Sequence, residues 1–389
     1  METIAVIFGG RSAEHDVSIV TALSSVIKPL ELTRKYKVEA IYIAKDGAWY
    51  WDEKLKDIKL FTSGGIKDFI AKAQPVSVQI DGGMTLLKTG GLRKQLQKID
   101  VVFPAMHGTY GEDGALMGLL DMAGVAYVGC GVSAAAAAMD KVLAKQLAVA
   151  NDIPVSNFLT FTKADLSREL SQAVKSITVS LKYPLFVKPA HLGSSIGISR
   201  VTNDTELKNA LEVAAHYDDR IIVEEAVNNL IEVTLPIMGN DDPQPALLER
   251  PMTQAEDFFD FETKYMQGGK KGGSGKGGKG AEGPQGYSQI PAELPKGLYE
   301  EAEAVGLRVY KALGCSGTAR VDLLIDSKTK KVYFNEVNPL PGGLYAHNWA
   351  KAGVSGIDLV QKLIALAEER HTNRQALATT FSTNYLQQF

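Results

Sequence analysis

The chain has 389 residues, of which 45% are hydrophobic and 22% charged, and its formal net charge is -3. This length exceeds one ordinary core and predicts two or three subdomains. The balanced charge excludes a broad basic surface for nucleic acid, and no run of about 18 apolar residues predicts a membrane span. Because the N-terminus also lacks a secretory signal pattern, the composition predicts a cytoplasmic protein that binds neither nucleic acid nor membrane. Cys130 and Cys315 have no metal or disulfide spacing and are predicted to be buried, reduced thiols.

The first part of the chain alternates predicted strands and helices. The strand TIAVIFGG ends in two glycines and precedes VSIVTALSSVIKPL, which has helical spacing. KVEAIYIAK and IDVVFPAMHG predict two more strands, and GALMGLLDMAG and VSAAAAAMDKVLAKQLAVANDI each predict a helix. We therefore expect an α/β domain with a parallel sheet over residues 1–139. Ligands of such sheets bind beyond the carboxyl ends of the strands, where the loops GGRSAE and MHGTYGEDG lie.

The rest of the chain predicts two further lobes and a tail. YPLFVKPA, GSSIGISRV and RIIVEEAV, with a helix from 203 to 215, predict a small α+β lobe of antiparallel strands over 140–233. A third lobe, over 234–372, is expected to carry the largest sheet, with strands in EVTLPIMG, PALLERPM, TARVDLLID and KVYFNEVN. Its helices are predicted at 298–313 and 356–370, and 373–389 form the tail.

A glycine- and lysine-rich segment, GGKKGGSGKGGKG, occupies residues 268–280. Gly273–Lys279 fits GxxxxGK, but Gly280 stands where a phosphate-binding loop requires the Ser or Thr that binds magnesium. No buried strand leads into the segment, and no helix follows to direct its dipole at a phosphate. The pattern therefore does not predict a phosphate-binding loop here.

A better phosphate-binding candidate is GSSIGIS at residues 193–199. Its glycines let the backbone approach a ligand closely, and Ser194 and Ser195 supply hydroxyl donors. A plain hairpin turn would have a similar composition. However, Lys188 ends the apolar strand just before this loop, and an ammonium there is costly unless it meets an anion. The loop and Lys188 together predict phosphate recognition.

A set of polar residues on two predicted strands indicates a metal site. Glu336 and Asn338 are two residues apart on one strand and therefore share a face, and Asp322 offers a third oxygen ligand. Oxygen ligands without thiolate or imidazole suit magnesium that bridges nucleotide phosphates. Arg320 shares the face of Asp322 and would neutralise charge on a transferring phosphoryl group. One acid alone would be read as part of a solvated face, but the set predicts a site.

Three residues of the first domain are weaker signals when each is taken alone. Glu14 follows the Gly-Gly loop, with Ser18 one helical turn later, and the pair would hold a substrate ammonium. A glutamate in the first turn of a helix is also a common partner of the helix dipole. His107 fits either a catalytic role or a hydrogen bond that orders its loop.

Seven segments, taken in chain order, resemble the motifs of the D-alanine–D-alanine ligases of the ATP-grasp superfamily. They are GGRSAEHDVS, HGTYGEDG, MDKVLAK, FVKPAHLGSSIGIS, FETKY, ARVDLL and NEVNPLPG, and the resemblance runs from about residue 3 to about residue 370. It implies a three-lobed ATP-grasp fold, α/β and α+β, with an N-terminal parallel α/β domain. It also implies a homodimer, ATP and D-alanine as substrates, and two Mg²⁺ or Mn²⁺ ions.

The resemblance further implies a reaction and roles for residues. The carboxylate of one D-alanine attacks the γ-phosphoryl group of ATP, and the amine of a second D-alanine attacks the acyl phosphate, which gives D-alanyl-D-alanine for peptidoglycan. The implied roles are catalytic for Glu14, Ser194, Tyr265, Arg320 and Gly342, substrate-binding for Ser18, His107 and His347, ATP-binding for Lys141, Lys188, Ser195, Glu225, Glu232 and Lys264, and metal-binding for Asp322, Glu336 and Asn338.

Some positions depart from the family pattern. The sequence NNLI replaces a glycine-containing turn and leaves open whether Glu225 or Glu224 meets the nucleotide. His347 stands near the place of a serine expected beside the carboxylate of the second substrate, and Pro339 replaces a threonine. D-serine, D-lactate or another amino acid therefore stays open as the second substrate, although Tyr265 favours an amine nucleophile.

Two further expectations follow from the motif set. A nucleotide-binding protein without catalysis is a third hypothesis, and the retained arginine and metal-ligand set argues against it. The glycine- and lysine-rich segment follows FETKY, where the family has a loop that closes over ATP, and it therefore predicts a long lid that is costly to order.

Overall fold

The computed structural model describes residues 1–88, 94–252 and 288–389. The first sheet has the order β3-β2-β1-β7-β8, and every neighbouring pair is parallel except β2 and β3. The predicted parallel sheet is thus confirmed, and its central strand is buried on both faces, as its β-branched run requires. A separate antiparallel sheet, β4-β5-β6, was not predicted. The strands of this region are β1 (Glu2–Gly9), β2 (Tyr36–Ile43), β3 (Trp49–Trp51), β4 (Ser77–Ile80), β5 (Met84–Lys88), β6 (Gln95–Ile99), β7 (Val101–Pro104) and β8 (Ala126–Tyr127).

Two of the helices near this sheet were predicted as a single helix. The stretch predicted as one helix is two, because Asp140 has an extended backbone and its carboxylate accepts hydrogen bonds from the amides of Val142 and Leu143. The first helical segment is continuous through a π-helical stretch, Thr21–Ile27. The helices are α1 (His15–Val20), α2 (Lys28–Thr33), α3 (Ile58–Thr62), α4 (Ile66–Lys72), α5 (Ala115–Ala123), α6 (Val132–Met139) and α7 (Lys141–Ala150), with a 3₁₀ turn at Glu53–Lys56.

The second sheet has the order β11-β10-β12-β9 and is antiparallel throughout, as predicted. One face is covered by two helices, whose apolar residues pack with those of the strands in one core. The elements are β9 (Phe158–Thr162), α8 (Lys163–Ser180), β10 (Leu185–Pro189), β11 (Ser199–Val201), α9 (Asp204–Tyr217) and β12 (Arg220–Glu225).

The third sheet has the order β14-β13-β17-β18 and is also antiparallel. Among the described residues it has four strands and the N-terminal sheet has five, so the prediction that this lobe carries the largest sheet is wrong for this part of the chain. PALLERPM is not one strand either, because Pro245 and Pro251 belong to two short strands and the residues from Ala246 to Leu248 between them are not in a strand. The elements are β13 (Leu230–Met238), β14 (Gln244–Pro245), β15 (Arg250–Pro251), β16 (Ser288–Gln289), α10 (Lys296–Ala312), β17 (Thr318–Asp326), β18 (Val332–Asn338), α11 (Ala346–Lys351) and α12 (Gly356–Gln375), with 3₁₀ turns at Gly342–Tyr345 and Tyr385–Gln388.

The last long helix, α12, packs against the N-terminal sheet region. Its buried Leu359, Leu363 and Ile364 belong to the same apolar core as Leu30 of α2 and Val128. The first and last parts of the chain therefore share a core, and the proposed boundaries after residues 139 and 233 stay predictions. Cys130 and Cys315 are free and buried, as expected. Among the helices that the structure describes, none has the length and hydrophobicity to cross a membrane.

Candidate active site

The loop after β1 is shaped by two glycines in the left-handed region. A β-carbon on Gly9, whose φ is +90°, would lie 2.2 Å from the carbonyl oxygen of Ile43, so only glycine fits this turn. The amide of Gly10 donates to the same carbonyl at 2.7 Å. The chain then enters α1 directly after Glu14, which brings that carboxylate above the carboxyl end of the parallel sheet.

Glu14 meets the glycine- and serine-containing loop from the second sheet. The hydroxyl of Ser194 donates a hydrogen bond to Oε1 of Glu14, across 180 residues of sequence. Burial raises the pKa of Glu14, the nearby carboxylate of Glu112 raises it further, and the hydrogen bond from Ser194 opposes both. A buried carboxylate under these conditions gains from a cationic partner, such as a substrate ammonium.

Ser18 lies below Glu14, and its contacts are with the backbone. Its hydroxyl accepts from the amide of Gly9 at 2.7 Å and donates to the carbonyl of Ala105 at 2.8 Å. It therefore joins the ends of β1 and β7. These contacts favour a structural role over the substrate contact that the resemblance implied.

His107 is buried between helix and loop. One ring nitrogen, Nε2, lies 2.8 Å from Oγ1 of Thr21, and Nδ1 lies 3.8 Å from a carboxylate oxygen of Glu112. Burial alone would lower the pKa of His107, but the nearby carboxylate of Glu112 outweighs it and raises the pKa. The histidine thus lies in the same polar cluster as Glu14, whose charge adds to this effect.

The loop GSSIGIS folds back on itself in a left-handed conformation. Ser194 and Ser195 have φ values of 53° and 60°, and Gly197 has 71°. Positive φ at two adjacent serines is strained and is typically found at functional sites. The amide of Ile196 closes the turn with a hydrogen bond to the carbonyl of Gly193 at 3.1 Å.

Lys141 begins α7 at the capped break after α6. Its ammonium donates to the carbonyl of Leu192 at 2.6 Å and lies 3.7 Å from Oε2 of Glu336. The lysine therefore joins the base of the serine loop to the strand that carries the predicted metal ligands.

Lys188 and Glu224 form a buried ion pair, with Nζ 2.5 Å from Oε2 of the glutamate. Lys145, which was not predicted, holds Oε1 of Glu224 at 2.7 Å. Glu225, the residue proposed from the resemblance, points elsewhere. Its carboxylate accepts from the side-chain amide of Asn157 and the backbone amide of Lys182, both at 2.8 Å. Of the two adjacent glutamates, Glu224 is therefore the one in contact with Lys188, which was predicted to bind phosphate.

The remaining nucleotide candidates lie near this ion pair or outside the described residues. Glu232 is exposed on β13. Burial tends to lower the pKa of Lys188, but the charge of Glu224 outweighs burial and raises it. The charge of Glu232 makes a smaller contribution in the same direction. Tyr265 and Lys264 fall in 253–287, which lies outside the described residues, as does the glycine- and lysine-rich segment.

The paired strands β17 and β18 bring the predicted metal face together. Arg320 stands opposite Asn338, and Asp322 opposite Glu336, so all four side chains share one face. The guanidinium of Arg320 contacts both oxygens of Asp322, at 2.8 and 2.5 Å, and Asn338 donates to Asp322 at 3.3 Å. The ring of Tyr345 lies 5.1 Å from the guanidinium carbon.

The turn after β18 contains the last two candidates. Gly342 starts a 3₁₀ turn, and the next amide, that of Gly343, donates to Oγ1 of Thr21 at 3.0 Å. His347 lies further on, where Nε2 is 2.9 Å from Oε2 of Glu249. Burial tends to raise the pKa of Glu249, but hydrogen bonds from His347 and Asn348 lower it overall.

These contacts converge on one cleft between the three sheets. Residues from the loops after β1 and β7, the α6–α7 junction, the serine loop and β18 line it, namely Glu14, Glu112, Lys141, Gly193, Glu336 and Asn338. Carboxylates, the ammonium of Lys141 and the strained serine loop face one another there. This set of charges suits an ammonium group and phosphate oxygens as ligands.

Two family models cover most of the chain. The model described as D-ala D-ala ligase N-terminus matches residues 3–130, and the model described as D-ala D-ala ligase C-terminus matches residues 147–365. The chain belongs to the D-alanine–D-alanine ligase family. The residues that line the cleft come from both matched regions and from the junction between them.

Individual relatives agree with this family membership along their full length. A D-alanine–D-alanine ligase of Acetivibrio thermocellus is 36% identical over 386 residues, which cover 95% of this chain and 96% of that protein. Among solved structures, the D-alanine–D-alanine ligase of Coxiella burnetii has a TM-score of 0.77 at 28% identity and covers 96% of both chains. VanG D-Ala:D-Ser ligase of Enterococcus faecalis has the same TM-score, 0.77, at 32% identity, and covers 94% of this chain and 99% of that one. The predicted ATP-grasp fold class is confirmed.

The donor set of this family member fits a hard divalent cation. Asp322, Glu336 and Asn338 all offer oxygen atoms on one face of the paired strands β17 and β18. Magnesium and manganese prefer oxygen ligands of this kind. Glu336 is one-third exposed to the cleft, so its carboxylate is accessible to an entering ion.

The sequence alone assigned no role to Lys145 or Glu112, and it left open whether Glu224 or Glu225 meets the nucleotide. Lys145 lies one helical turn after Lys141 and therefore shares its helix face. Glu224 is a diagonal neighbour of Lys188 across β10 and β12, since Lys188 pairs with Ile222. Glu112 lies within the quoted motif HGTYGEDG. Its carboxylate also accepts from the amide of Gly108 at 2.7 Å, a loop contact that only the tertiary structure reveals.

Proposed function

We propose that this protein ligates two D-alanine molecules at the expense of ATP. The carboxylate of the first D-alanine attacks the γ-phosphorus of ATP, the bond to the bridging oxygen breaks, and D-alanyl phosphate and ADP form. The amine of the second D-alanine then attacks the acyl carbon, loses a proton and displaces inorganic phosphate. The product, D-alanyl-D-alanine, is the dipeptide that peptidoglycan synthesis uses.

The observation that carries this proposal is the contact between Glu14 and Ser194. It joins a loop suited to an amino acid's ammonium to a loop suited to phosphate oxygens. Lys141 lies beside the serine loop and 3.7 Å from Glu336. The carboxylate of a D-alanine whose ammonium is bound by Glu14 would thus face the γ-phosphoryl group of ATP. Positioning of this kind is the main source of rate in phosphoryl transfer.

The other side chains have complementary roles in this scheme. Glu14 binds the ammonium of the first D-alanine, and His107 orders the loop beneath it. Arg320 and the backbone at Gly342 stabilise the charge that develops on the acyl phosphate and on the tetrahedral intermediate. Ser194 closes the site from the opposite side.

We assign the divalent ions to Asp322, Glu336 and Asn338. Bound magnesium or manganese, two ions by family resemblance, would neutralise charge on the β- and γ-phosphates. Arg320 occupies both oxygens of Asp322 at 2.8 and 2.5 Å, so ion binding at Asp322 requires that this pair loosen. A cytoplasmic location and a homodimer are further parts of the proposal, drawn from the family and not from a contact.

A D-alanine–D-serine ligase is the second candidate function. His347 lies where the carboxylate of the second substrate is expected, and it is 2.9 Å from the buried Glu249. That pairing changes the polarity of the second subsite. The 32% identity to VanG D-Ala:D-Ser ligase gives this alternative an independent basis.

Phosphate release by purified protein with ATP and magnesium tests both candidates. D-alanine alone, D-alanine with D-serine, and D-alanine with D-lactate are compared, with L-alanine as the control and mass spectrometry of the products. We expect D-alanyl-D-alanine from D-alanine alone. Preferential formation of D-alanyl-D-serine would replace the first candidate with the second. Absence of phosphate release with every pair would overturn both.

A further inference from the structure

A buried cluster of three charges lies behind the phosphate-binding loop. Glu224 stands between two lysines, with Oε1 2.7 Å from Nζ of Lys145 and Oε2 2.5 Å from Nζ of Lys188. The side chains of Lys145, Glu224 and Lys188 are 1%, 4% and 12% exposed. Each carboxylate oxygen therefore has its own ammonium partner, away from bulk water.

The cluster contains two cations for one anion. Burial tends to raise the pKa of Glu224, but Lys145 and Lys188 outweigh it and hold the pKa far below its ordinary value, so the carboxylate is charged. Burial lowers the pKa of Lys145 against the attraction of Glu224, and the charge of Lys188 lowers it further. Two ammonium groups and one carboxylate together carry one excess positive charge. An excess charge in a poorly hydrated place is costly until an anion approaches it.

The two lysines are placed differently with respect to the cleft. Lys145 is enclosed, and its ammonium also donates to the backbone carbonyl of Phe334 at 3.3 Å. Lys188 is the more exposed of the two and is the penultimate residue of β10, shortly before the serine loop. An approaching anion would therefore meet the excess positive charge at Lys188.

Two more carboxylates act on Lys188 from other directions. Glu232 and Glu336 both raise its pKa, after the larger contribution of Glu224. Glu232 is exposed, where solvent screens its charge, and Glu336 is assigned above to a divalent ion. Glu224 is thus the carboxylate that most directly reduces the positive charge of Lys188.

We propose that Lys145 is a positioning residue for nucleotide binding: it occupies one oxygen of Glu224, so that Glu224 neutralises only part of the charge of Lys188. This inference rests on the proposed use of ATP. Without Lys145, Glu224 and Lys188 form a balanced pair with little attraction left for a phosphate. A purely structural ion pair would instead contribute to stability and affect all ligands alike.

Lys145→Met separates the two readings. The substitution removes a buried cation but leaves Glu224 paired with Lys188, so no uncompensated charge is created and the Tm stays within a few degrees. We expect the Kd for ADP, measured by calorimetry, and the KM for ATP to rise about tenfold or more. The KM for D-alanine should change less than about twofold. Lys311→Met, on the exposed face of α10, serves as the matched control.

A charge-restoring double variant makes the test sharper. Lys145→Met with Glu224→Gln leaves Lys188 as a lone cation, so its ADP affinity should recover towards that of the unchanged protein. Lys145→Gln, which keeps a hydrogen-bond donor for Glu224, replaces the methionine variant if the latter does not fold, and is expected to lose affinity as well. Wild-type ADP affinity in the single variants, or no recovery in the double variant, would overturn the role of Lys145.

The same measurements separate this inference from the proposed function. If the unchanged protein binds ADP but joins no amino acids, the ligase proposal fails and the role of Lys145 is still decided by the variants. If the unchanged protein does not bind ADP, the proposed use of ATP fails and the inference fails with it.

Discussion

Replacement of Gly108 by alanine should displace the carboxylate of Glu14. Gly108 has a φ of +69°, and a β-carbon there would lie 2.4 Å from Oγ of Ser12 and 2.7 Å from Oε2 of Glu14. Both distances are shorter than any normal contact. The atoms in the way are side-chain ends, so the strain is relieved by rotation of Ser12 and Glu14 rather than by unfolding.

The expected size follows from two separate effects. An alanine in the left-handed region costs roughly 1–2 kcal/mol, which corresponds to a fall in Tm of a few degrees. Loss of a charge-assisted hydrogen bond between Glu14 and the substrate ammonium costs about 1.5–3 kcal/mol, so the KM at the first D-alanine site should rise on the order of 10- to 150-fold. The binding of ADP should change much less, because Gly108 lies on the amino-acid side of the cleft and affects the serine loop only through the bond of Glu14 to Ser194.

Phosphate release at saturating ATP with varied D-alanine measures the KM for D-alanine, calorimetry measures the Kd for ADP, and thermal unfolding measures the fall in Tm. Gly118→Ala is the matched control, because Gly118 lies within α5 with nothing within 4 Å of its β-carbon position. That variant should be neutral or slightly stabilising. If Gly108→Ala kept the wild-type KM, or weakened ADP binding by the same factor, the assignment of Glu14 to the substrate ammonium would be refuted.

Three further substitutions test other parts of the molecule. Glu336→Gln removes a proposed metal ligand that faces the cleft, so kcat should fall at least about 100-fold in phosphate release while the Tm changes little. His191→Asn tests a histidine whose pKa is raised to about 10 by hydrogen bonds to Asp140 and then Asp218. Its folded-state pKa lies above the unfolded value, so its stabilisation is full below about pH 6.5 and is lost as the pH rises through about 10. The Tm difference between wild type and His191→Asn should therefore shrink between pH 7 and pH 10. Leu363→Ala removes a fully buried side chain of α12 and should lower the free energy of unfolding by about 2–5 kcal/mol in denaturant titration.

Two of these have an exposed counterpart in the chain. Glu301→Gln on α10 should leave kcat unchanged. Leu377 is 66% exposed, so Leu377→Ala should cost far less than Leu363→Ala. Full activity of Glu336→Gln would remove the metal assignment. A constant Tm difference for His191→Asn would argue against its ion pairs, and an unchanged stability for Leu363→Ala would contradict the packing of α12.

The metal face was predictable from local rules alone. Side chains two residues apart on a strand share a face, and this period places Arg320 with Asp322 and Glu336 with Asn338. The pairing of two strands in one hairpin-like unit then brings both pairs together. The polar loops at the ends of parallel strands were predictable in the same way, because a buried β-branched run that ends in glycines indicates a strand end.

The sequence was less informative where a single side chain overrides a periodic pattern. The apolar spacing from 132 to 150 continues through Asp140, yet that carboxylate caps α7 and ends α6. Likewise, Glu224 and Glu225 are adjacent acids at the end of β12 and point to opposite faces of the strand. The local pattern does not tell which face meets the lysines, and only the tertiary structure places Lys145 and Lys188 on the side of Glu224.

The sequence by itself determined the family motifs, the parallel first sheet, the antiparallel second sheet and the shared face of the metal ligands. These follow from periods of two and 3.6 residues and from glycine-containing loops, which are properties of a few neighbouring residues. Only the tertiary structure decided that Ser194 meets Glu14 across 180 residues, that Lys145 shares Glu224 with Lys188, and that α12 packs on the first sheet region. Those contacts depend on how whole sheets and helices bury their apolar faces against one another, and no local periodicity encodes that arrangement.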